Sequence, residues 1–234
     1  MKLFISVLLL SVNVAPSLAQ KMGMTGFKYH WTRPEILAGP SIASIRYGNL
    51  HPGDQPRTTI GFGVGIQTRY IISNRFQLVG SILFERKGGK QVDDVGTYDS
   101  VTQIHGVVKG ASTYVDRYDY LTLPILINYL ISQKRSFKIG LGPYVAYLLK
   151  ARISWEDTVS HFKYTLYETS NYSKMDAGIS TAFEVDVRSN KKYIASVKLT
   201  TNWGLVNIIK PVVPDHQKTR VFYIMIVFPL AKIF

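Results

Sequence analysis

Apolar residues alternate with small or polar ones along most of this chain. From Ile60 to Tyr70 the even positions are Ile60, Phe62, Val64, Ile66, Thr68 and Tyr70, and between them lie Gly61, Gly63, Gly65, Gln67 and Arg69. A period of two puts alternate side chains on opposite faces of a β-strand. The same rhythm predicts eight strands, over residues 36–48, 58–72, 76–88, 115–131, 136–153, 174–187, 192–206 and 220–232. Two of them depart from a clean pattern. The last, VFYIMIVFPLAKIF, is apolar on both faces, and the fourth carries Pro124, which removes a ladder donor and predicts a bulge there.

The predicted connections alternate in length. Ser73-Asn74-Arg75, Ser132-Gln133-Lys134-Arg135 and Arg188-Ser189-Asn190-Lys191 have hairpin length and turn residues. The others, 49–57, a segment near 89–114, a segment near 154–173, and 206–219, are longer. Short turns on one side and long loops on the other mark an all-β, antiparallel up-and-down barrel crossing a membrane. An even strand count leaves both ends of the barrel on the short-turn side.

The two faces differ in chemistry. One face of the sixth segment carries Ala177, Ile179, Thr181, Phe183, Val185 and Val187, and the other carries Asp176, Gly178, Ser180, Ala182, Glu184 and Asp186. The seventh sets Tyr193, Ala195, Val197, Leu199, Thr201 and Trp203 against Ser196, Lys198, Thr200 and Asn202. The fifth sets Phe137, Ile139, Leu141, Val145, Tyr147 and Leu149 against Lys138, Gly140, Gly142, Tyr144, Lys150 and Arg152. A soluble barrel would put the apolar set inside. Unpaired charges avoid an apolar core, so the large apolar face is assigned to lipid and the charged face to the lumen. The expected lumen cluster is Arg69, Lys138, Lys150, Arg152, Asp176, Glu184, Asp186 and Lys198, with the carboxylates pairing the cations. The glycines leave room in a narrow interior.

The start of the chain changes the compartment. MKLFISVLLLSVNVAPSLAQ holds one charge, Lys2, then a short apolar run, then Ser17-Leu18-Ala19. This is the layout of a secretory signal peptide over residues 1–19, cleaved after Ala19. A short periplasmic segment, 20–35, and an outer-membrane barrel, 36–234, would follow. Loss of Lys2 takes the formal charge from +13 to +12. The absence of cysteine excludes a disulfide framework and thiolate metal sites.

The sequence YDYLTLPILINYL, then FKIGLGPYVAYLL, MDAGISTAFEVDV and LTTNWGLVNI, resembles the PorT-like outer-membrane β-barrel family. The matching motifs are Tyr120–Pro124, Gly140–Tyr144, Asp176–Gly178 and Gly204–Ile208, and FERKGGK (84–90) resembles that family's third-strand exit. The resemblance spans about residues 36–234 and implies an eight-stranded barrel. Phe234, ending an alternating strand, resembles the terminal signal read by the outer-membrane assembly machinery.

Chemistry is sparse. His51, His105, His161 and His216 fall one to each long loop, without paired ligand spacing, so no metal and no cofactor are expected. Ser160-His161 with Glu156 or Asp157 is a candidate nucleophile and base, but neighbours on an extended segment point oppositely. Acids gather in the predicted loops, at Asp93, Asp94, Asp99, Asp116, Asp119, Glu156, Asp157 and Glu168. Bases mark the turns, at Arg75, Lys134, Arg135, Arg188, Lys191 and Lys192. A basic periplasmic rim favours lipid phosphates or an acidic envelope partner, and no nucleic-acid motif is present. Tyr98, Tyr114, Tyr118, Tyr164, Tyr167 and Tyr172 fit either a contact surface or an aromatic girdle. The sequence thus points to a non-enzymatic anchor or accessory subunit in outer-membrane lipid, engaging an unidentified envelope partner. A lipid-modifying rim enzyme and a narrow channel are the alternatives.

Overall fold

Alternation becomes ten strands: β1 (His30–Trp31), β2 (Glu35–Tyr47), β3 (Thr59–Ile71), β4 (Phe76–Gly96), β5 (Lys109–Leu130), β6 (Phe137–Asp157), β7 (Lys163–Tyr167), β8 (Met175–Ser189), β9 (Lys192–Gly204) and β10 (Gln217–Pro229). The computed structural model describes residues 30–47, 58–96, 109–131, 137–157, 163–167, 169–189, 192–210 and 217–230. The proposed signal peptide, Lys134, Arg135, Lys191 and Phe234 lie outside them, as do His51, His105, Ser160, His161 and His216.

Eight of the strands close on themselves. Antiparallel pairing runs β2-β10-β9-β8-β6-β5-β4-β3, and β3 returns to β2. Closure removes the edges that an open sheet would expose. The outer face is apolar: Ile60 is 82% exposed, Leu141 58% and Ile127 55%. So large an apolar surface is incompatible with water and matches a hydrocarbon slab. At the short-turn end the Trp31 and Tyr70 rings meet tilted at 5.1 Å, and those of Phe76 and Tyr129 at 5.3 Å. Rings in these positions form the aromatic girdle of a membrane barrel.

The double-sided apolarity of β10 has a packing explanation. Its outward residues, Phe222, Ile224, Ile226 and Phe228, are exposed to lipid. Its inward residues, Val221, Tyr223, Met225 and Val227, pack on Leu37, Ala43 and Leu83 as an apolar layer inside the barrel. The glycine stripe of β3 faces this layer. A Cβ on Gly63 would stand 2.8 Å from Met225 Cε and 3.2 Å from Tyr223 Cε1. A Cβ on Gly65 would instead collide with the backbone carbonyl of Ile82 and lie 2.9 Å from Leu83 Cα. A flexible methionine end yields and a strand backbone does not. Gly65→Ala is therefore expected to cost about 1–3 kcal/mol, and Gly63→Ala distinctly less. Urea unfolding midpoints of the two variants in lipid vesicles test this, and the reverse order would place the glycine stripe wrongly.

Three expectations are corrected. The described residues of the segment near 89–114 are strand, not loop: Lys90 to Gly96 pair with Val115 to Lys109. Likewise β6 runs to Asp157 and pairs with β7. Asp93, Asp94, Asp116, Asp119, Glu156 and Asp157 are therefore strand residues. These extensions have no lipid to face, so the apolar stripe that reveals a strand is missing from them. Finally, register is continuous through Pro124, which lies opposite Tyr144; the β5–β6 shift falls at Asp119/Tyr120.

Candidate functional site

The lumen is filled in layers. At the short-turn end, β3, β8, β6 and β2 bring Arg69, Glu184, Lys138 and Glu35 together. Arg69 grips Glu184 with two bonds, Nη1 to Oε2 at 3.0 Å and Nη2 to Oε1 at 2.6 Å, and its Nε donates to Glu35 at 2.8 Å. Lys138 bridges Glu184 at 3.0 Å and Asp186 at 2.6 Å. Ser196 donates to Glu184 at 2.7 Å. Lys198 donates to the Gln67 carbonyl at 2.9 Å, and Gln67 donates to Glu35 at 2.7 Å. Charges removed from water hold together only when paired and hydrogen-bonded in this way.

Above the apolar layer lies a second cluster. Lys87 sits 3.0 Å from Asp176 and 3.5 Å from Glu85. Its ammonium lies 4.8 Å from the ring centroids of both Tyr120 and Tyr144, a cation–π sandwich. Thr219 donates to Asp176 at 2.8 Å, while Thr122 and Asn202 donate to Glu85 at 2.8 and 3.0 Å. Each carboxylate has a cation and at least one neutral donor.

The long-loop mouth is capped. Tyr172 and Ile208 are buried with Ile45, Tyr118, Tyr120, Tyr144 and Leu148. The Tyr118 and Tyr172 rings meet edge-on at 4.9 Å. Backbone bonds from Ser173 to Ile208 (2.7 Å) and from Ile208 to Gln217 (2.9 Å) fasten the two loop segments to each other and to β10. Ions, apolar side chains, ions again and then aromatics occupy the interior in sequence.

Of the sequence-predicted lumen residues, Arg69, Lys138, Asp176, Glu184, Asp186 and Lys198 stand in these two ionic layers. Lys150 and Arg152 do not. An extra residue at Leu149 shifts the β5–β6 register, so Tyr120 faces Leu148 and Asp119 faces Lys150. One inserted residue reverses the parity of everything after it. Ala151 becomes the inward residue, Lys150 is exposed, and Arg152 turns to the outer face. There Arg152 Nη2 meets Asp119 at 3.1 Å, and Arg86 holds the same carboxylate through Nε at 2.7 Å and Nη2 at 3.1 Å. A second bulge, with Ile194 as the extra residue on β9 opposite the Val187–Arg188 step of β8, turns Tyr193 inward to Glu35 at 3.3 Å, although alternation had assigned it to lipid. Arg75 and Arg188 are exposed at the short turns, where Arg75 reaches the Tyr129 hydroxyl at 3.2 Å and Arg188 reaches Asp186 at 3.2 Å.

Residues absent from the expected cluster include Glu35, Gln67, Glu85, Lys87 and Tyr144. Glu85 and Lys87 share a strand face at i and i+2, which alternation could have revealed. Glu35 begins β2, one residue before the predicted boundary.

At the long-loop end β7 adds to β6 alone among the described residues, and all five of its residues are exposed. Tyr164, Leu166 and Tyr167 are among its large exposed groups. Among the described residues no group of metal-ligating side chains occurs.

A family model described as "Outer membrane protein beta-barrel domain" matches residues 25–210. The chain belongs to this family. As an outer-membrane β-barrel domain protein it resides in the bacterial outer membrane. No curated relative matches it. Solved structures with a similar fold include Ail of Yersinia pestis, determined in complex with the heparin analogue sucrose octasulfate. It shares 9% identity, with 86% of this chain and 99% of that one covered and a TM-score of 0.40. Neisserial surface protein A shares 10% identity over 86% and 99% of the two chains, with a TM-score of 0.43. OprG from Pseudomonas aeruginosa shares 12% over 85% and 96%, with a TM-score of 0.42.

Proposed function

We propose that this outer-membrane barrel is a non-enzymatic anchor or accessory subunit. It engages an envelope or extracellular partner through its long-loop end or its basic periplasmic turns. The motifs at Tyr120–Pro124 and Gly140–Tyr144 favour a PorT-like branch of the family. In this reading the signal peptide leaves after Ala19, the assembly machinery reads Phe234, and the short turns carrying Arg75 and Arg188 face the periplasm.

The observation that carries the proposal is where the molecule spends its structure. Its interior is consumed by paired ions, apolar layers and an aromatic cap, which favours an anchor over a conduit. Its outside extends instead. β4, β5, β6 and β7 continue past the other strands as a ribbon ending in KYTLY, an exposed edge strand with tyrosine and leucine side chains. A free edge offers backbone donors and acceptors to a partner strand, and its alternating side chains confer selectivity.

The test is affinity purification of the tagged chain from intact, cross-linked envelopes. A co-purifying envelope protein is expected, and it should be lost from a Tyr164→Ser/Leu166→Asn/Tyr167→Ser variant or from an Arg75→Gln/Arg188→Gln variant. Recovery of a partner-free barrel would overturn the accessory role. In planar bilayers the purified chain is expected to give no discrete conductance steps.

A further inference from the structure

We propose that the outward-facing cations at the long-loop end form a binding site for the phosphate groups of a glycolipid in the outer leaflet. Three adjacent strands contribute to it. Arg86 on β4 stands opposite Asp119 on β5, Arg117 on β5 stands opposite Arg152 on β6, and Asp119 stands opposite Lys150. The Leu149 bulge is what delivers β6 to this side: without it Lys150 and Arg152 would point into the lumen. Four cations thus surround one carboxylate on a surface whose lower neighbours, Phe62, Leu121, Leu123 and Tyr147, are apolar and exposed. Two forces fix their height. The Arg86 guanidinium lies 5.2 Å over the Phe62 ring, and the Lys150 ammonium lies 4.3 Å over the Tyr167 ring. Asp119 orients the guanidinium groups of Arg86 and Arg152 through hydrogen bonds of 2.7 and 3.1 Å, and leaves further N–H donors free of it.

A second group lies along the same rim. Arg46 on β2 stands opposite Lys218 on β10, and Arg220 stacks over Trp203 at 4.9 Å. All three cations are exposed. Directly opposed like charges on neighbouring strands are destabilising. An external anion that neutralises both removes that cost.

The ligand follows from position and charge. Cations at the upper boundary of an apolar belt meet the headgroup layer, where the anionic groups are phosphates. Arginine forks grip a phosphate through two parallel bonds, and lysine adds a point charge. The exposed apolar residues below the cations, Leu121 and Leu123 among them, match the upper acyl region of a glycolipid. The inference depends on the long-loop end facing outward, but not on any protein partner. Its failure and the failure of the accessory role are therefore separable.

The test uses the full chain folded in detergent micelles, with lipid A as probe. Native mass spectrometry across a lipid titration reads the bound fraction. Lipid A is expected to bind, and its dephosphorylated form to bind at least about 25-fold more weakly, at about fivefold for each charge pairing removed. Arg117→Gln/Lys150→Gln, which leaves the Arg86–Asp119–Arg152 hydrogen bonds intact, should weaken lipid A by about 25-fold. Arg75→Gln/Arg188→Gln at the opposite end should not change it. Inorganic phosphate should not displace the lipid. Equal binding of the dephosphorylated lipid, an unchanged Arg117→Gln/Lys150→Gln variant, or an equal loss at Arg75 and Arg188 overturns the proposal. Displacement by inorganic phosphate would replace the lipid with a free anion and overturn it too.

Discussion

Glu184→Ala is expected to destabilise the barrel by about 3–5 kcal/mol, the cost of stripping a buried ionic cluster of its shared partner. Glu184 is the residue on which the lower lumen converges. It accepts two bonds from Arg69, one from Lys138 and one from Ser196. Its removal leaves Arg69 with Glu35 alone and Lys138 with Asp186 alone, inside an interior that solvent scarcely reaches. Urea unfolding from lipid vesicles measures the loss. A double-mutant cycle then isolates the interaction itself. Arg69→Met should cost less in the Glu184→Leu background than in the native chain, with a coupling of about 1–3 kcal/mol. Additive effects would show that the two groups, 2.6 Å apart, do not support each other. The same logic explains why the lumen holds cations and acids in fixed pairs. A barrel of this width fills with side chains.

Legibility in the sequence followed the contrast between lipid and lumen. Where both media flank a strand, as from Phe137 to Leu149 or from Asp176 to Val187, alternation located the strand and both faces. It lost the strands at the point where lipid ends. Gln91 to Gly96 and Tyr114 to Lys109 pair in register, yet with no hydrocarbon beside them their composition reads as loop. Alternation also cannot register an insertion. Leu149 and Ile194 are ordinary outward-facing apolar residues, both about half exposed. Only pairing with the adjacent strand shows that the count slips there. That slip moved Lys150 and Arg152 from lumen to surface and brought Tyr193 the other way. Partner choice was equally hidden. Strand parity places Asp176 in the lumen but does not say that Lys87, far away in sequence, will meet it.

Phe183→Arg is expected to block membrane assembly or to cost about 2–4 kcal/mol where the barrel still forms, because a cation in the hydrocarbon is desolvated without a partner. The position is well suited to the test. Phe183 points away from the lumen, is exposed to the surroundings, and stacks on Phe137 at 6.4 Å. Its neighbours along the chain, Ala182 and Glu184, point inward. An arginine here therefore disturbs nothing inside. Val197→Arg, on β9 opposite Val185, repeats the experiment on a neighbouring strand. Depth separates the expectation from general intolerance. An arginine at Ile42, near the rim that carries Arg46 and Lys218, should cost about 0–1 kcal/mol, since the side chain can reach the headgroups. Folding yields into vesicles, read by protease protection, give the comparison. Normal assembly of Phe183→Arg would reverse the assignment of faces. Equal losses at Phe183 and Ile42 would show that packing, not lipid, governs the outer surface.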